Sequence, residues 1–91
     1  MIEKQYKIIA STGFARPANL IVSVADKFTS NLCLEFQGTT VELNYTVESI
    51  MDIMSLRIIP GAPFQIRAEG IDEQQALESI EEHLRNRRFI H

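Results

Sequence analysis

Two short stretches of the chain carry residue types at spacings that suit chemistry. The first is Thr12-Gly13-Phe14-Ala15-Arg16-Pro17-Ala18. Arginine followed by proline opens an apolar helical pattern, so Arg16 stands beside backbone N–H groups that lack a partner within the helix. A fixed cation beside such groups is an anion-binding arrangement, and its bland alternative is a solvated helix start. The second stretch is Ser49-Ile50-Met51-Asp52. It reads as a capped helix start, with Ser49 as the cap and Asp52 in the place of the usual capping-box glutamate. The hydroxyl of Thr12 has no base beside it between Thr12 and Arg16, so it reads as a turn residue and not as a nucleophile.

Other reactive side chains are few. Cys33 is the single cysteine, and His83 and His91 are the two histidines. No internal disulfide can form, and no Cys/His cluster has zinc-ligand spacing, so neither a structural metal nor a metal cofactor is expected. Cys33 falls in an alternating segment and reads as a buried, inert thiol. His83 lies within the last helix as a surface residue. His91 follows Phe89-Ile90 and would approach Arg16 if the last helix ran antiparallel to the first.

The elements that must position these groups follow from periodicity. Residues Ile2 to Ala10 alternate as a strand, with Tyr6, Ile8 and Ala10 on one face. Ala18, Ile21, Val22, Ala25 and Phe28 then follow helical spacing, with Pro17 as the first helical residue. Leu32, Leu34 and Phe36 alternate in a second strand, Gln37-Gly38 makes a two-residue hairpin turn, and Thr39, Val41 and Leu43 form the partner. Asn44-Tyr45-Thr46-Val47-Glu48 extends that strand or forms a loop before the short helix begun by Ser49. Pro60-Gly61 stops this helix, Phe64, Ile66 and Ala68 alternate as a fourth strand, and Asp72, with Gln75 three residues on, caps a last helix. Ala76, Leu77, Ile80 and Leu84 make its buried stripe. The order βαββαβα predicts an α+β, open-faced two-layer sandwich: a four-stranded, antiparallel sheet with three helices on one face.

Composition sets the class of partner. The chain has 91 residues, 45% hydrophobic and 23% charged, with 9 Lys+Arg against 12 Asp+Glu for a net charge of −3. That suits one soluble domain spanning residues 1–91. With no surplus of cations, direct binding to nucleic acid or to an anionic membrane is not expected. Arg85, Arg87 and Arg88 are assigned to the carbonyls of the last helix end and to Glu81 and Glu82. The early acid at Glu3 and the absence of an apolar core near the N-terminus point to a cytoplasmic address.

Read together, the loop Gly13-Phe14-Ala15-Arg16-Pro17 and the segments Ala25-Asp26-Lys27-Phe28, Leu34-Glu35-Phe36-Gln37-Gly38, Ser49-Ile50-Met51-Asp52-Ile53-Met54-Ser55-Leu56 and Gly70-Ile71-Asp72-Glu73-Gln74-Gln75-Ala76-Leu77 resemble HPr. HPr is the phosphocarrier of the bacterial sugar phosphotransferase system, and the resemblance covers nearly the whole chain. It implies the open-faced sandwich again. HPr proteins carry a histidine between the glycine and Ala-Arg-Pro, and its imidazole accepts and donates the phosphoryl group. Here Phe14 alone occupies that interval, the loop is a residue shorter, and a phenyl ring has no lone pair to attack phosphorus. No catalytic residue is therefore expected. The histidine-less catabolite-repression HPr-like proteins are the group this sequence resembles most in kind.

In HPr proteins of low-GC Gram-positive bacteria, the serine matching Ser49 is phosphorylated by HPr kinase/phosphorylase, and the product is corepressor for catabolite control protein A. The resemblance therefore implies Ser49 as a regulatory phosphosite, those two proteins as partners, and Arg16, Ile50 and Met51 as a partner-binding face. The family usually has lysine and glycine where this chain has Glu48 and Asp52. Each acid would repel a unit negative charge at ~6 Å by roughly 0.7 kcal/mol in water, against a dipole gain of about 0.3–1 kcal/mol for a phosphate on the capping residue. The stretch before Ser49 is also lengthened by Asn44-Tyr45-Thr46-Val47. Without the phosphate, Glu48 and Asp52 would supply part of the negative charge that a partner's arginines seek. Two alternatives stand beside this regulatory reading: a divergent phosphocarrier using His83 or His91, and an assembly module in which the first strand is exchanged to form a homodimer.

Overall fold

The computed structural model describes residues 1–9 and 13–90. The elements run β1 (Ile2–Lys7), α1 (Ala15–Ala25), β2 (Asn31–Phe36), β3 (Thr39–Glu42), α2 (Val47–Ser55), β4 (Pro63–Glu69) and α3 (Glu73–Asn86). The four strands form one antiparallel sheet in the order β1-β4-β2-β3. Alternation decides its two faces. Tyr6, Leu32, Leu34, Phe36, Val41, Phe64, Ile66 and Ala68 turn inward and are buried. On the other face Arg67 pairs with Glu3 at 3.2 Å and with Glu35 at 3.4 Å across the strands. The helices cover the apolar face: α3 lies over β4 and β1, α2 against β3, and α1 packs on both other helices.

The predicted architecture holds, with shifts at the element ends. β1 stops at Lys7, short of the predicted Ala10, which lies outside the described residues. Ile8 remains buried beyond the strand, and its carbonyl accepts from Gly61 N at 2.8 Å, while Ile9 N donates to Phe89 O at 2.8 Å. α1 starts two residues before Pro17, so proline takes its third position, still within the turn whose N–H groups have no helical acceptor. Phe28 follows the helix instead of ending it, and packs half-buried against the core. The Gln37-Gly38 turn is as predicted, with positive φ at both residues (50° and 84°), the left-handed pair that a twisted hairpin requires. β3 ends at Glu42, and Leu43 just beyond it is buried and donates its N–H to Leu32 O.

The last helix is begun differently from the prediction. Asp72 holds the cap position, but its carboxylate makes no bond to its own helix. It reaches across to the end of the α1–β2 connection, accepting from the backbone N–H groups of Thr29 and Ser30, both at 2.9 Å, and from both their hydroxyls. Glu73 satisfies Gly70 N instead. Gly70 has no room for a side chain, since a Cβ there would lie 2.8 Å from Ser30 Cα, and its φ of +154° disfavours one anyway. This clamp fixes the start of α3 beside the end of α1.

These hydrogen bonds hold the Asp72 carboxyl down at about 2, the Ser30 hydroxyl contributing most. A carboxylate lowered on folding adds stability that is fully present above its unfolded pKa and is lost as pH falls through the folded value. In urea melts, the stability difference between the natural chain and Asp72→Asn is expected to be constant near neutrality. It should shrink below about pH 4 and vanish near pH 2. A difference that is flat across that window would show that the charge on Asp72 contributes nothing.

Candidate functional site

Gly13, with φ of 91°, leads into Phe14, which stands at the cap position of α1 and caps nothing with its side chain. Ala18 N donates to Phe14 O at 2.9 Å, so the backbone of the predicted anion loop is already part of the helix. The ring goes inward. Phe14 is 4% exposed and meets Phe64 of β4 edge to face, with centroids 5.2 Å apart and planes at 85°. Such a contact adds about 0.5–1.5 kcal/mol to the burial itself. A loop residue has become a core residue, linking the mouth of α1 to the sheet.

Arg16 is exposed, as a binding residue must be. It opens on a hollow of about 320 Å³ lined also by Asn19, Leu20, Ser23, Tyr45, Arg87 and Phe89. The end of α3 therefore meets the beginning of α1, and the two helices run antiparallel as the sequence suggested. Arg85 matches its assignment by pairing with Glu81 at 3.2 Å. Arg87 matches it only through its backbone N–H, which donates to His83 O at 3.2 Å; its side chain bonds neither a carbonyl nor an acid among the described residues, and Arg87 lines the Arg16 hollow. Thr12 and His91 lie outside the described residues. His83 is half-buried, and its Nδ1 lies 2.7 Å from Ser79 O, one turn back along its own helix. A carbonyl only accepts, so that nitrogen carries the proton.

The start of α2 corrects the sequence reading most. Ser49 is not the cap. Thr46 is, with its hydroxyl oxygen accepting from Ser49 N at 3.1 Å, and the helix begins at Val47. The added residues before Ser49 thus form neither a longer hairpin nor a loop alone, because Thr46 and Val47 begin the helix earlier. Ser49 becomes an interior position of the first turn, 7% exposed. Its hydroxyl donates to Glu42 O at 3.1 Å and accepts from Asn44 N at 3.4 Å, tying α2 to the end of β3. It borders a hollow of about 530 Å³ that Glu42, Glu48 and Asp52 also line. Asp52 does not answer Ser49 as a capping box.

Beyond Ser49, α2 splits its apolar residues. Ile53 is fully buried and Ile50 half-buried against the core. Met51 is 64% exposed and lies in a row with Val47 and Met54, also exposed, at i, i+4 and i+7 spacing. Of the predicted face, Arg16 and Met51 are open to solvent and Ile50 partly so, but neither Ile50 nor Met51 lines the Arg16 hollow. Tyr45 does, and periodicity gave no sign of it. Thr46 left a usable signal, being a preferred cap type immediately before the Val47-Met51-Met54 row. Cys33 is half-exposed instead of buried, and desolvation, assisted by Glu42, raises its thiol pKa, which keeps it protonated and unreactive.

Comparison with known proteins agrees with this geometry. The family profile described as PTS HPr component phosphorylation site matches residues 2–86. Among solved structures, the histidine-containing phosphocarrier protein of a Mycoplasma is similar at 28% identity and a TM-score of 0.85, covering 99% of each chain. HPr-C-His from Thermoanaerobacter tengcongensis matches at 36% identity and a TM-score of 0.81, covering 98% of this chain and 96% of that one. Crh, the Bacillus subtilis catabolite repression protein solved as a domain-swapped dimer, matches at 36% identity and a TM-score of 0.66, covering 94% of this chain and 95% of that one.

Proposed function

Because the chain belongs to the HPr family of the bacterial sugar phosphotransferase system, we propose that it is a non-catalytic, regulatory member. It binds a protein partner, a transcriptional regulator of carbon catabolite control, and does not relay phosphoryl groups. One observation carries this reading: the loop in which the family keeps its phosphoryl-accepting histidine holds only Phe14 between Gly13 and Ala15, and that phenyl ring is packed into the core against Phe64. His83 offers no substitute, because it lies in α3 and its protonated nitrogen faces its own helix carbonyl.

The partner-binding face in this proposal is Arg16 with Met51 and the edge of Ile50. An exposed methionine row adapts to varied apolar partners, and Arg16 adds direction. Ser49 remains the family's phosphosite by resemblance. Here its hydroxyl is buried and bonded to Glu42 O, and a phosphate would face Glu42, Glu48 and Asp52. Modification thus requires the first turn of α2 to open. Glu48 and Asp52 take over part of the negative charge, so binding in this reading does not wait for a kinase.

Titration of the pure chain into a catabolite control regulator tests the proposal. Saturable binding without prior phosphorylation is expected, weakened about tenfold by Arg16→Ala and by Met51→Ala. Prior incubation with HPr kinase and ATP is expected to leave the mass unchanged, without the gain of about 80 Da that a phosphate brings. An acid-labile phosphoryl group acquired from phosphoenolpyruvate and enzyme I would overturn the reading in favour of a carrier. A second reading is favoured by β1, an edge strand that pairs with β4 alone and is tied to α3 by the Lys4 and Tyr6 bonds to Glu81. These contacts can form between two chains as well as within one, as an exchanged-strand homodimer requires. Sedimentation at several concentrations distinguishes the two states.

A further inference from the structure

Five surface hollows are described, and the charges along them differ in kind. Four include at least one carboxylate: Asp26 and Glu42, then Glu42, Glu48 and Asp52, then Glu35, and finally Glu81. The fifth, between α1 and the end of α3, has none among the described residues. It is lined by Arg16, Arg87, Asn19, Ser23 and Tyr45, together with Leu20 and Phe89. Among the described residues neither arginine has an ion-pair partner. In a chain of net charge −3, two arginines that share a hollow lined by no acid among the described residues form a local reversal of sign.

The donors come from three separate parts of the chain. Arg16, Asn19 and Ser23 follow i, i+3 and i+7 along one face of α1. Arg87 is the residue at which α3 ends, and Tyr45 comes from the lengthened connection before α2. Guanidinium forks suit tetrahedral oxyanions, which accept two parallel N–H bonds from each fork. Tyr45, 59% exposed, and the side chain of Leu20 offer apolar surface beside these donors for a small organic group. About 320 Å³ is the scale of a small-molecule site and exceeds what a bare ion needs.

We infer that the hollow between Arg16 and Arg87 binds a phosphomonoester, with both guanidiniums on the phosphate and the Tyr45 ring against its organic part. This goes beyond the regulatory reading and does not depend on it, since a phosphomonoester can bind here whether or not a protein docks on α2. No bond is made or broken, because nothing lining the hollow is an activated nucleophile.

NMR titration of the full chain at constant ionic strength tests the inference, with inorganic phosphate, phenyl phosphate and free phosphoserine as probes and chloride as control. Saturable shifts are expected at the amides of Arg16, Asn19, Ser23, Tyr45 and Arg87, with phenyl phosphate binding more tightly than inorganic phosphate. Arg87→Gln and Arg16→Gln should each weaken phenyl phosphate about tenfold, and Tyr45→Ala should remove its advantage over inorganic phosphate. Lys27→Gln, at the opposite end of α1, should change nothing. Each variant's unchanged spectrum away from the hollow shows that it is folded. A capped tripeptide containing phosphoserine separates two sources of the group. Binding by free phosphoserine assigns the hollow to a small metabolite, and binding by the tripeptide alone assigns it to a partner's phosphorylated side chain. Shifts that chloride reproduces, that fail to saturate, or that survive Arg87→Gln unchanged would overturn the proposal.

Discussion

Replacing Phe14 with alanine is expected to lower the free energy of unfolding by about 3 kcal/mol, near the lower end for a fully buried phenyl group. The ring is 4% exposed and meets Phe64 edge to face, so the variant loses both the transferred area and an aromatic contact. At about 4–8 °C per kcal/mol for a domain of this size, the melting temperature should fall by about 12–24 °C. Phe14→His is the sharper experiment. If the ring points inward because the loop and core require it, the imidazole will be buried too, at a cost of about 2 kcal/mol for its unsatisfied nitrogen. Such a variant should stay inert toward phosphoenolpyruvate and enzyme I. Thermal melts and intact-mass measurement decide the matter together. A stable Phe14→His chain that takes up an acid-labile phosphoryl group would show that the loop still presents its residue to partners, and that only the missing imidazole silences it.

Ser49→Asp, the usual imitation of a phosphoserine, is expected to destabilise the chain by about 3 kcal/mol and not to mimic a signal. The carboxylate cannot donate to Glu42 O, where the serine hydroxyl now does at 3.1 Å. It would also share its hollow with Glu42, Glu48 and Asp52. Ser49→Ala should cost only about 1 kcal/mol, the usual loss for a neutral hydrogen bond with its acceptor left exposed to partial hydration. Urea denaturation of both variants separates a buried structural hydroxyl from a surface switch. Equal and small effects would mean that the first turn of α2 opens freely, which would restore Ser49 as an accessible phosphosite. Thr46→Ala belongs to the same series, since it removes the actual cap; about 1 kcal/mol is the ordinary loss.

Both results bear on the proposal that this chain does not relay phosphoryl groups. The sandwich is the same, yet the first loop is a residue shorter and the connection before α2 is longer, and both Phe14 and Ser49 are buried here. Phe14 became core because a phenyl group at the mouth of α1 gains more from Phe64 than from water. Ser49 became interior because residues added ahead of it prolonged the helix, and Thr46 took over the capping hydrogen bond. The Arg16 side chain kept its exposure, and Tyr45 and Arg87 joined it.

Much of this was legible in the linear chain because it depends on local periodicity. The alternation of Leu32, Leu34 and Phe36, the Gln37-Gly38 turn and the stripe Ala76, Leu77, Ile80 and Leu84 each report one face of one element, and a face needs only its neighbours to be read. The family motifs fall into the same class, as does the absence of a nucleophile between Gly13 and Ala15. What tertiary structure decided is wherever a polar group had two available partners. Ser49 and Thr46 were both eligible caps, and packing against Glu42 chose between them. Asp72 was free to cap its own helix but bonds Thr29 and Ser30, which only the fold brings within reach. Arg87 and Arg16, seventy-one positions apart in numbering (87 − 16), share a hollow because α1 and α3 lie antiparallel. Hydrogen bonds and charges act on whatever is adjacent in space, and for these residues adjacency is set by the packed helices and sheet, not by the order of the chain.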